Sequence, residues 1–479
     1  MAHRLTILQV NDSHAYLRPH MELFRRGGRE VYRQAGGYAR IATLFHRIRR
    51  EREAVVALDN GDTLHGTYPA VESTGAALVP VLNALGFDAM TGHWDFAYGP
   101  ERLRELVRRL DYPLLAVNCY REDTDEPVFP PYRMLERGGL RVAVIGVAAT
   151  IVDKTAPASF SSGISLTLGR DELPAVVERV RDGEHADLVV VLSHLGFPQE
   201  MQLAADVDGI DVLVSGHTHN RLYRPALVND TLLVQSGSHG SFVGCLDLLV
   251  DDGGVQGYEH RLIPVDMSVV PDERVAGLVD EAVEPYRDVL GEAVGRTATA
   301  LNRGRVMETT MDNLLLQAML EASHAEVAFS NGWRYGAPVP TGEVTVNDLW
   351  NIVPVNPPVS TCELSGAEIR RMLEEDLELT FSRNPYGQMG GYVKRCLGLT
   401  AFVKVENPAG HRIEELSVGG RHVQDDEIYE ACYITVQGVP ERYGGNRMDL
   451  DVDAVGALRC YLARHTPARA DLRGTVVPV

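Results

Sequence analysis

The sequence predicts an α/β protein, and three observations carry that reading. Short runs rich in Val, Ile and Leu alternate with helical patterns over the first 265 residues. The runs are nearly continuous apolar stretches, as strands covered on both faces must be. Several of them end in Asp and His, at the strand edge where open α/β sheets bind their ligands. The chain of 479 residues has room for two or three domains.

Leu5–Val10, Ala54–Leu58, Leu140–Val147, Ala186–Leu192 and Ile210–Val214 are the predicted strands, in chain order. Helical patterns lie between them, for example over Tyr38–Arg50 and Pro100–Arg109. After Asp266 the pattern changes. Val270-Pro271-Asp272-Glu273 puts Pro and acids where a helix starts. The acidic helix beyond it, through Tyr286 and Leu290, reads as a connector between domains. From about Gly295 a second unit holds an apolar helix (Met311–Ala322), a Gly/Pro-rich stretch (Asn331–Gly342), another helix (Ser365–Glu374) and several strands near its end. The expected division is therefore 1–268, a linker helix over 269–294, and 295–479.

Composition removes some functions. Hydrophobic residues at 45% and charged residues at 23% are ordinary for a globular protein, so the chain is not largely disordered. Lys and Arg total 46 against 66 Asp and Glu, a formal net charge of −20. Such a chain repels a phosphate backbone, which argues against nucleic acid as the partner. A small anionic substrate would need a local cluster of metals or arginines. No apolar run reaches the length a membrane helix needs, so no membrane partner is expected. The first ten residues lack the basic region, long apolar stretch and cleavage site of a signal peptide. That predicts a cytoplasmic protein if Met1 is the native start, and a periplasmic one if the chain is trimmed. The six cysteines are widely spaced with no CxxC, and read as buried free thiols.

The chemistry lies in the residues just beyond the strands. Asn11-Asp12-Ser13-His14 comes after the first, and Asp59-Asn60-Gly61-Asp62 after the second. Gly92-His93-Trp94-Asp95 comes after a turn at Leu85–Asp88. Ser193-His194 and Ser215-Gly216-His217-Thr218-His219 come after the last two. Five His/Asp clusters at strand ends are hard to explain as core packing. Imidazole with carboxylate suits Mn, Fe or Zn. In an extended segment Asp12-x-His14 and His217-x-His219 each put two side chains on one side. Two carboxylates and five histidines suit two metals, which together activate a water and hold both oxygens of an in-line displacement.

The order D-x-H, G-D-x-x-x-G (Gly61–Gly66), G-x-x-x-F-x-Y-G (Gly92–Gly99), S-H and G-H-T-H resembles the calcineurin-like metallophosphoesterases, and specifically their 5′-nucleotidase family. Asn331-Gly332-Trp333-Arg334 is similar to that family's N-G-G-x-R substrate segment, so the resemblance covers nearly the whole chain. It implies a four-layer α/β/β/α metal domain, joined by a helix to a smaller α+β substrate-binding domain. By position it implies one metal on Asp12, His14 and His219, and another on His93, His194 and His217, with Asp62 bridging. Two divalent ions are expected, Mn foremost, with Zn or Fe possible. Asp62 and His93 would then be catalytic as well as ligating, and Asp95 would hold a ligand histidine by its other nitrogen. Asn331, Arg334 and Arg395 are the candidate substrate contacts, the arginines as anion clamps. Trp333, Tyr335, Tyr386, Tyr392 and Tyr443 lie in Gly-rich loops, and Tyr443 is the candidate for stacking on a base.

One departure matters. Where the family reads G-N-H-E-F-D-Y-G, this chain reads Gly92-His93-Trp94-Asp95-Phe96-Ala97-Tyr98-Gly99. His93 can still ligate, but Trp94 and Ala97 stand where a His–Asp dyad would assist the leaving group. This variant resembles the branch holding the dimanganese thiosulfohydrolase of bacterial sulfur oxidation, as do Gln388–Arg395 and Gly237-Ser238-His239-Gly240. A thiolate leaves more readily unaided than an alkoxide. His65 and His239 are the other possible proton sources. The expected function is hydrolysis of phosphoesters of nucleotides or related small anions by metal-activated water. The alternatives are cleavage of a sulfane–sulfonate linkage on a carrier protein, and a catalytically weak metal-dependent binding protein.

Overall fold

The computed structural model describes residues 2–251, 254–389 and 392–479. It divides into two compact units, Met1–His20 with Gln34–Pro285, and Met21–Arg33 with Tyr286–Val479.

The first unit is two sheets with helices outside them. In the first sheet β1 (His3–Val10) pairs in parallel with β2 (Val55–Asp59), which pairs with the short β3 (Ala89–Met90). The second sheet holds β4 (Tyr132–Arg137), β5 (Leu140–Val147), β6 (Leu188–Ser193), β7 (Val212–Val214), β8 (Ala226–Val228) and β9 (Thr231–Val234), in the order β8-β9-β7-β6-β5-β4. Strands β10 (Phe242–Asp251) and β11 (Gly254–Pro264) return to the first sheet, whose order is β11-β10-β1-β2-β3. The alternation of side chains explains the continuous apolar runs. Val142, Val144, Val190 and Leu192 enter a core shared with Leu5, Ile7, Val56 and Leu58 of the first sheet. Their neighbours Ala143, Ile145, Val189 and Val191 pack the opposite face against Leu173, Val177 and Leu203. Outside the first sheet, α1 (Tyr38–Glu51) buries Ile41, Leu44, Phe45 and Ile48 along one stripe. These are the four layers of an α/β/β/α domain.

The predicted strands are all present, shifted by a residue or two at some ends. The β10–β11 pair was not predicted. Its outer strand keeps Tyr258 exposed and alternates polar residues, so it carries no continuous apolar run. The helix α2 (Glu273–Val283), expected in a connector, is packed in this unit. Asp272 caps it by accepting from the Val275 N–H at 3.0 Å and pairs with His46 on α1 at 3.2 Å.

The second unit is smaller and α+β. Helix α3 (Thr310–Ser323) is buried continuously from Met311 to Met319, with Asp312, Asn313 and Gln317 among its apolar residues. One sheet is made of β12 (Val327–Ser330), β13 (Pro358–Ser365), β14 (Arg395–Leu397), β15 (Ile428–Tyr433) and β16 (Gly445–Asp453), in the order β14-β12-β15-β13-β16. A capping box on Ser365 and Glu368 starts α4 (Gly366–Phe381). This helix outruns its predicted end because Leu377 continues the buried stripe of Ile369, Met372 and Leu373. Five of the six cysteines are buried free thiols, as expected, and Cys460 is exposed. Among the described residues no helix is long and apolar enough to cross a membrane.

Candidate metal centre

Five loops at the carboxyl edge of the two sheets bring donors to one place. Asp12 and His14 come after β1, Asp62 after β2, and His93 after β3. His194 comes after β6, and His217 and His219 after β7. The backbone turns sharply there. Asp12, His14, Asp62, His217 and His219 all have positive φ, between 46° and 66°. Non-glycine residues avoid that region, and runs of them concentrate at functional sites. Gly66 is required for close approach: a Cβ on it would overlap the His14 carbonyl.

The donors form two groups that share one carboxylate. Asp62, His93, His194 and His217 make the first, and Asp12, His14, Asp62 and His219 the second; within each, one atom per residue lies within 4.8 Å of all the others. His93 Nδ1 is 3.1 Å from Asp62, and His194 Nε2 is 3.3 Å from it. His219 Nε2 stands 3.2 Å from Asp12, and His14 Nε2 3.7 Å from Asp62. The structure thus brings together all seven residues that the sequence suggested as ligands.

The electrostatics fit divalent cations. Burial raises the pKa of a carboxylate, yet Asp62 is held well below the usual range by His93, His194 and His14. Asp12 is lowered against the same burial by His219 and His194. Burial would lower His194, but Asp62, Asp12 and the Asn60 carbonyl push it up to about 10. His14 lies well below its ordinary value because burial dominates. The pocket therefore keeps two buried carboxylates ionised and calls for positive charge beside them. His194 Nδ1 meets the Asn60 carbonyl at 2.5 Å, while its buried Nε2 has no hydrogen-bond partner and faces the carboxylates. That is the arrangement of a metal-ligating imidazole.

Asp95 does not do what was expected of it. Its carboxylate touches no ligand imidazole. It accepts four backbone N–H groups, from His93 (3.1 Å), Asp62 (2.9 Å), Thr63 (3.1 Å) and Leu64 (2.9 Å). A buried carboxylate is satisfied most fully by convergent N–H donors, and the short helix at Trp94–Tyr98 turns Asp95 inward onto them. It thereby ties the Asp62 loop to the His93 loop.

Trp94 is half-buried at the edge of this centre, and its main-chain N–H donates to Asp62 at 2.7 Å. Its ring packs 5.1 Å from that of His65 and 5.5 Å from that of Phe160. Burial pushes His65 down to about 4, so it is neutral at neutral pH and carries no proton to give. The His239 ring lies 6.0 Å from His219 and 6.2 Å from His14.

The substrate candidates lie in the second unit and separate into two kinds. Asn331 donates to Gln437 at 2.9 Å. Arg334 is half-buried, with its guanidinium over the Tyr392 ring at 4.6 Å. Arg395 is only 2% exposed and is spent inside the fold: Nε pairs with Asp312 at 3.0 Å, and its other nitrogens donate to the carbonyls of Val306 and Arg305 at 2.5 and 3.1 Å. Arg303 shares Asp312 from the other side at 2.9 Å. Arg395 therefore braces the 305–306 turn in place of the anion clamp expected of it, because a buried carboxylate requires cations around it. Tyr443 is 3% exposed and belongs to the apolar core, so it offers no face to a base. Of the Gln388–Arg395 segment, Gly390 and Gly391 lie outside the described residues.

Sequence reasoning missed Asp312, although a lone Asp in an apolar helix was a signal for it. It also missed Glu200. That carboxylate receives the Leu195 N–H at 3.1 Å and the Ser215 hydroxyl, and burial pushes it up to about 7.

Residues 5–221 match the sequence model for the calcineurin-like phosphoesterases, and residues 289–435 that for the 5′-nucleotidase C-terminal domain. A trifunctional nucleotide phosphoesterase of Bacillus subtilis, YfkN, is 25% identical over 464 residues, 86% of this chain but only 30% of that protein. A 5′-nucleotidase of Diplobatis ommata is 26% identical, across 87% of this chain and 77% of its own. Among solved structures, the sulfate thiohydrolase SoxB of Thermus thermophilus superposes with a TM-score of 0.92 at 26% identity, covering 99% of this chain and 96% of that one. A 5′-nucleotidase precursor of the same organism has the same fold, with a TM-score of 0.87 at 23% identity and 99% of both chains covered. Seven Asp and His donors at the strand edge and two sequence models in succession agree: the chain belongs to the 5′-nucleotidase family of calcineurin-like metallophosphoesterases, in the branch that includes SoxB.

Proposed function

We propose that the chain hydrolyses phosphoesters of nucleotides or related small anions at the two-group centre of its first unit. The phosphoesterase model and the 5′-nucleotidase relatives support phosphoric ester hydrolysis, and the observation that carries the rest is Asp62, shared between two complete donor sets. Two divalent ions, proposed here as manganese, would supply Lewis acidity, an activated water and a clamp for the oxygens of an in-line displacement.

The chain's own residues do the remainder. Asp62 is fixed by the Trp94 N–H and the Asp95-bound loop. Asp12 is fixed by Asn11 at 2.7 Å and by the His217 N–H at 3.0 Å. These bonds hold the donors in position before substrate arrives. In the second unit Asn331 and Arg334 are proposed to hold the substrate anion, with Arg334 kept in place by Tyr392.

One observation favours a second reading. On the Asp62 side, the half-buried neighbour of the donors is an indole, and the histidine against it is neutral. Neither protonates a leaving group, and that suits a thiolate, as in cleavage of a sulfane–sulfonate linkage.

The experiment is product release with Mn²⁺ from two panels, nucleoside 5′-monophosphates and S-sulfonates that carry a sulfane sulfur, such as cysteine S-thiosulfonate, with Asp62→Asn as control. Phosphate release that the control abolishes supports the first reading. Turnover of S-sulfonates alone overturns it in favour of the second. Turnover of neither, with two metals bound, makes the protein a metal-dependent binder.

A further inference from the structure

We propose that Asn60 is a positioning residue that sets the gap between the two sheets at the metal centre, and so sets cation affinity at both donor groups together. The proposal rests on the reading that these donors hold two divalent ions.

Each donor group is built across the gap. In one, Asp62 and His93 come from loops of the first sheet, and His194 and His217 from the second. In the other, Asp12, His14 and Asp62 come from the first sheet and His219 from the second. The distance between sheets is therefore a ligand-to-ligand distance in both. Metal coordination tolerates about ±0.2 Å in such distances. The apolar core between the sheets cannot fix a distance so finely, because burial of apolar surface is non-directional.

Asn60 supplies directional contacts at that edge. It is wholly buried, between Asp59 and the Gly61-Asp62 turn. Its side-chain amide donates to the carbonyls of Ser193 at 3.0 Å and Val214 at 2.7 Å, the last residues of β6 and β7. Its side-chain oxygen accepts from Gln9 of β1 at 2.9 Å. Gln9 itself crosses to the Ser215 carbonyl at 2.7 Å and is held by the Ser236 hydroxyl at 2.8 Å. Both N–H bonds of the Asn60 amide and its oxygen are thus used in joining β1, β6 and β7 at one point. Ser193 immediately precedes His194, and Val214 lies three residues before His217. The Asn60 main-chain carbonyl takes His194 Nδ1, so where Asn60 sits also decides where His194 Nε2 points.

The test uses the full chain with Asn60→Leu, close in volume but unable to make these bonds, and Gln9→Leu. Mn²⁺ affinity and stoichiometry are read by calorimetry, and Mn–Mn exchange coupling by electron paramagnetic resonance, which depends on the separation of the ions. The expected result is two equivalents in the wild type, roughly 10–100-fold weaker binding at both positions in each variant, and an altered coupling signal. Asn60→Leu leaves the Gln9 bond to the Ser215 carbonyl in place, so the double variant should bind more weakly than either single one. Should Asn60→Leu fail to fold, Gln9→Leu and Ser236→Ala decide by the same measurements. Variants that bind two equivalents within about threefold of wild type, or lose affinity at one position alone, overturn the proposal while leaving the two-metal reading standing. A wild type that binds fewer than two equivalents overturns both.

Discussion

His14 and His219, 205 residues apart in sequence, bring their Nε2 atoms within 3.2 Å of each other. Two imidazole nitrogens at that distance are joined through a shared proton or through a cation between their lone pairs. With Asp12 and Asp62 beside them and ionised, the cation is the reading that satisfies all four groups. Chelation should therefore cost stability. Removing the metals with EDTA should lower the melting temperature of the first unit by roughly 5–10 °C, corresponding to about 3 kcal/mol of lost binding. Differential scanning calorimetry with and without Mn²⁺ checks this, and an unchanged melt counts against a resident metal centre.

Trp94 and Ala97 make a second expectation. Wild-type rates on aryl phosphates should fall steeply as the leaving group's pKa rises, because no side chain there protonates it. Installing the missing pair, Trp94→His with Ala97→Asp, should raise turnover of alkyl phosphates by about 10²-fold and flatten that dependence. A dependence already flat in the wild type would show that another group supplies the proton.

The two arginines of the second unit should behave differently. Arg334→Ala should raise KM at least about tenfold and leave the melting temperature within a degree or two, as loss of one charge-assisted contact to an anion does. Arg395→Ala should instead destabilise the unit by about 1–3 kcal/mol, because Asp312 keeps only Arg303 and the carbonyls of Arg305 and Val306 lose their donor. Steady-state kinetics and urea unfolding separate the two, and equal effects would contradict the assignment.

Glu200 gives a pH dependence for the metal-free protein. Burial raises it in the fold from 4.5 to about 7, with the Ser215 hydroxyl opposing. Between those values the folded state holds a proton that the unfolded chain has released. Stability therefore falls as pH rises through this window and levels off above it. The loss is about 3 kcal/mol at most. Glu200→Gln should lack this fall, so wild type and variant should diverge between about pH 5 and 8 in chemical denaturation. Parallel curves would place the proton elsewhere.

Much of this protein was legible in its sequence, for reasons that are local. Strands buried on both faces must be apolar at nearly every position, so Leu140–Val147, whose only polar residue is Arg141, announced itself without a partner in view. The donors here are Asp and His and sit where chains leave a sheet, so all seven could be named from D-x-H, G-D, G-H-W-D, S-H and G-H-T-H. The half-exposed β11 was not legible, because alternation on one face is a weaker signal than a continuous run.

What tertiary structure alone decided was which charges stay inside. Arg395 and Arg334 look alike in sequence, both flanked by loops rich in Gly and aromatics. One is spent on Asp312 and two carbonyls, and the other lies over Tyr392. Tyr443 was as good a stacking candidate as any until the core closed over it. Asp95 kept its place beside the metal loops, but its partners proved to be backbone N–H groups that no sequence spacing specifies. Residue type and spacing determine what a side chain can bind. Which of its possible partners it meets depends on desolvation and on contacts between segments far apart in the chain, and these exist only once the fold is complete.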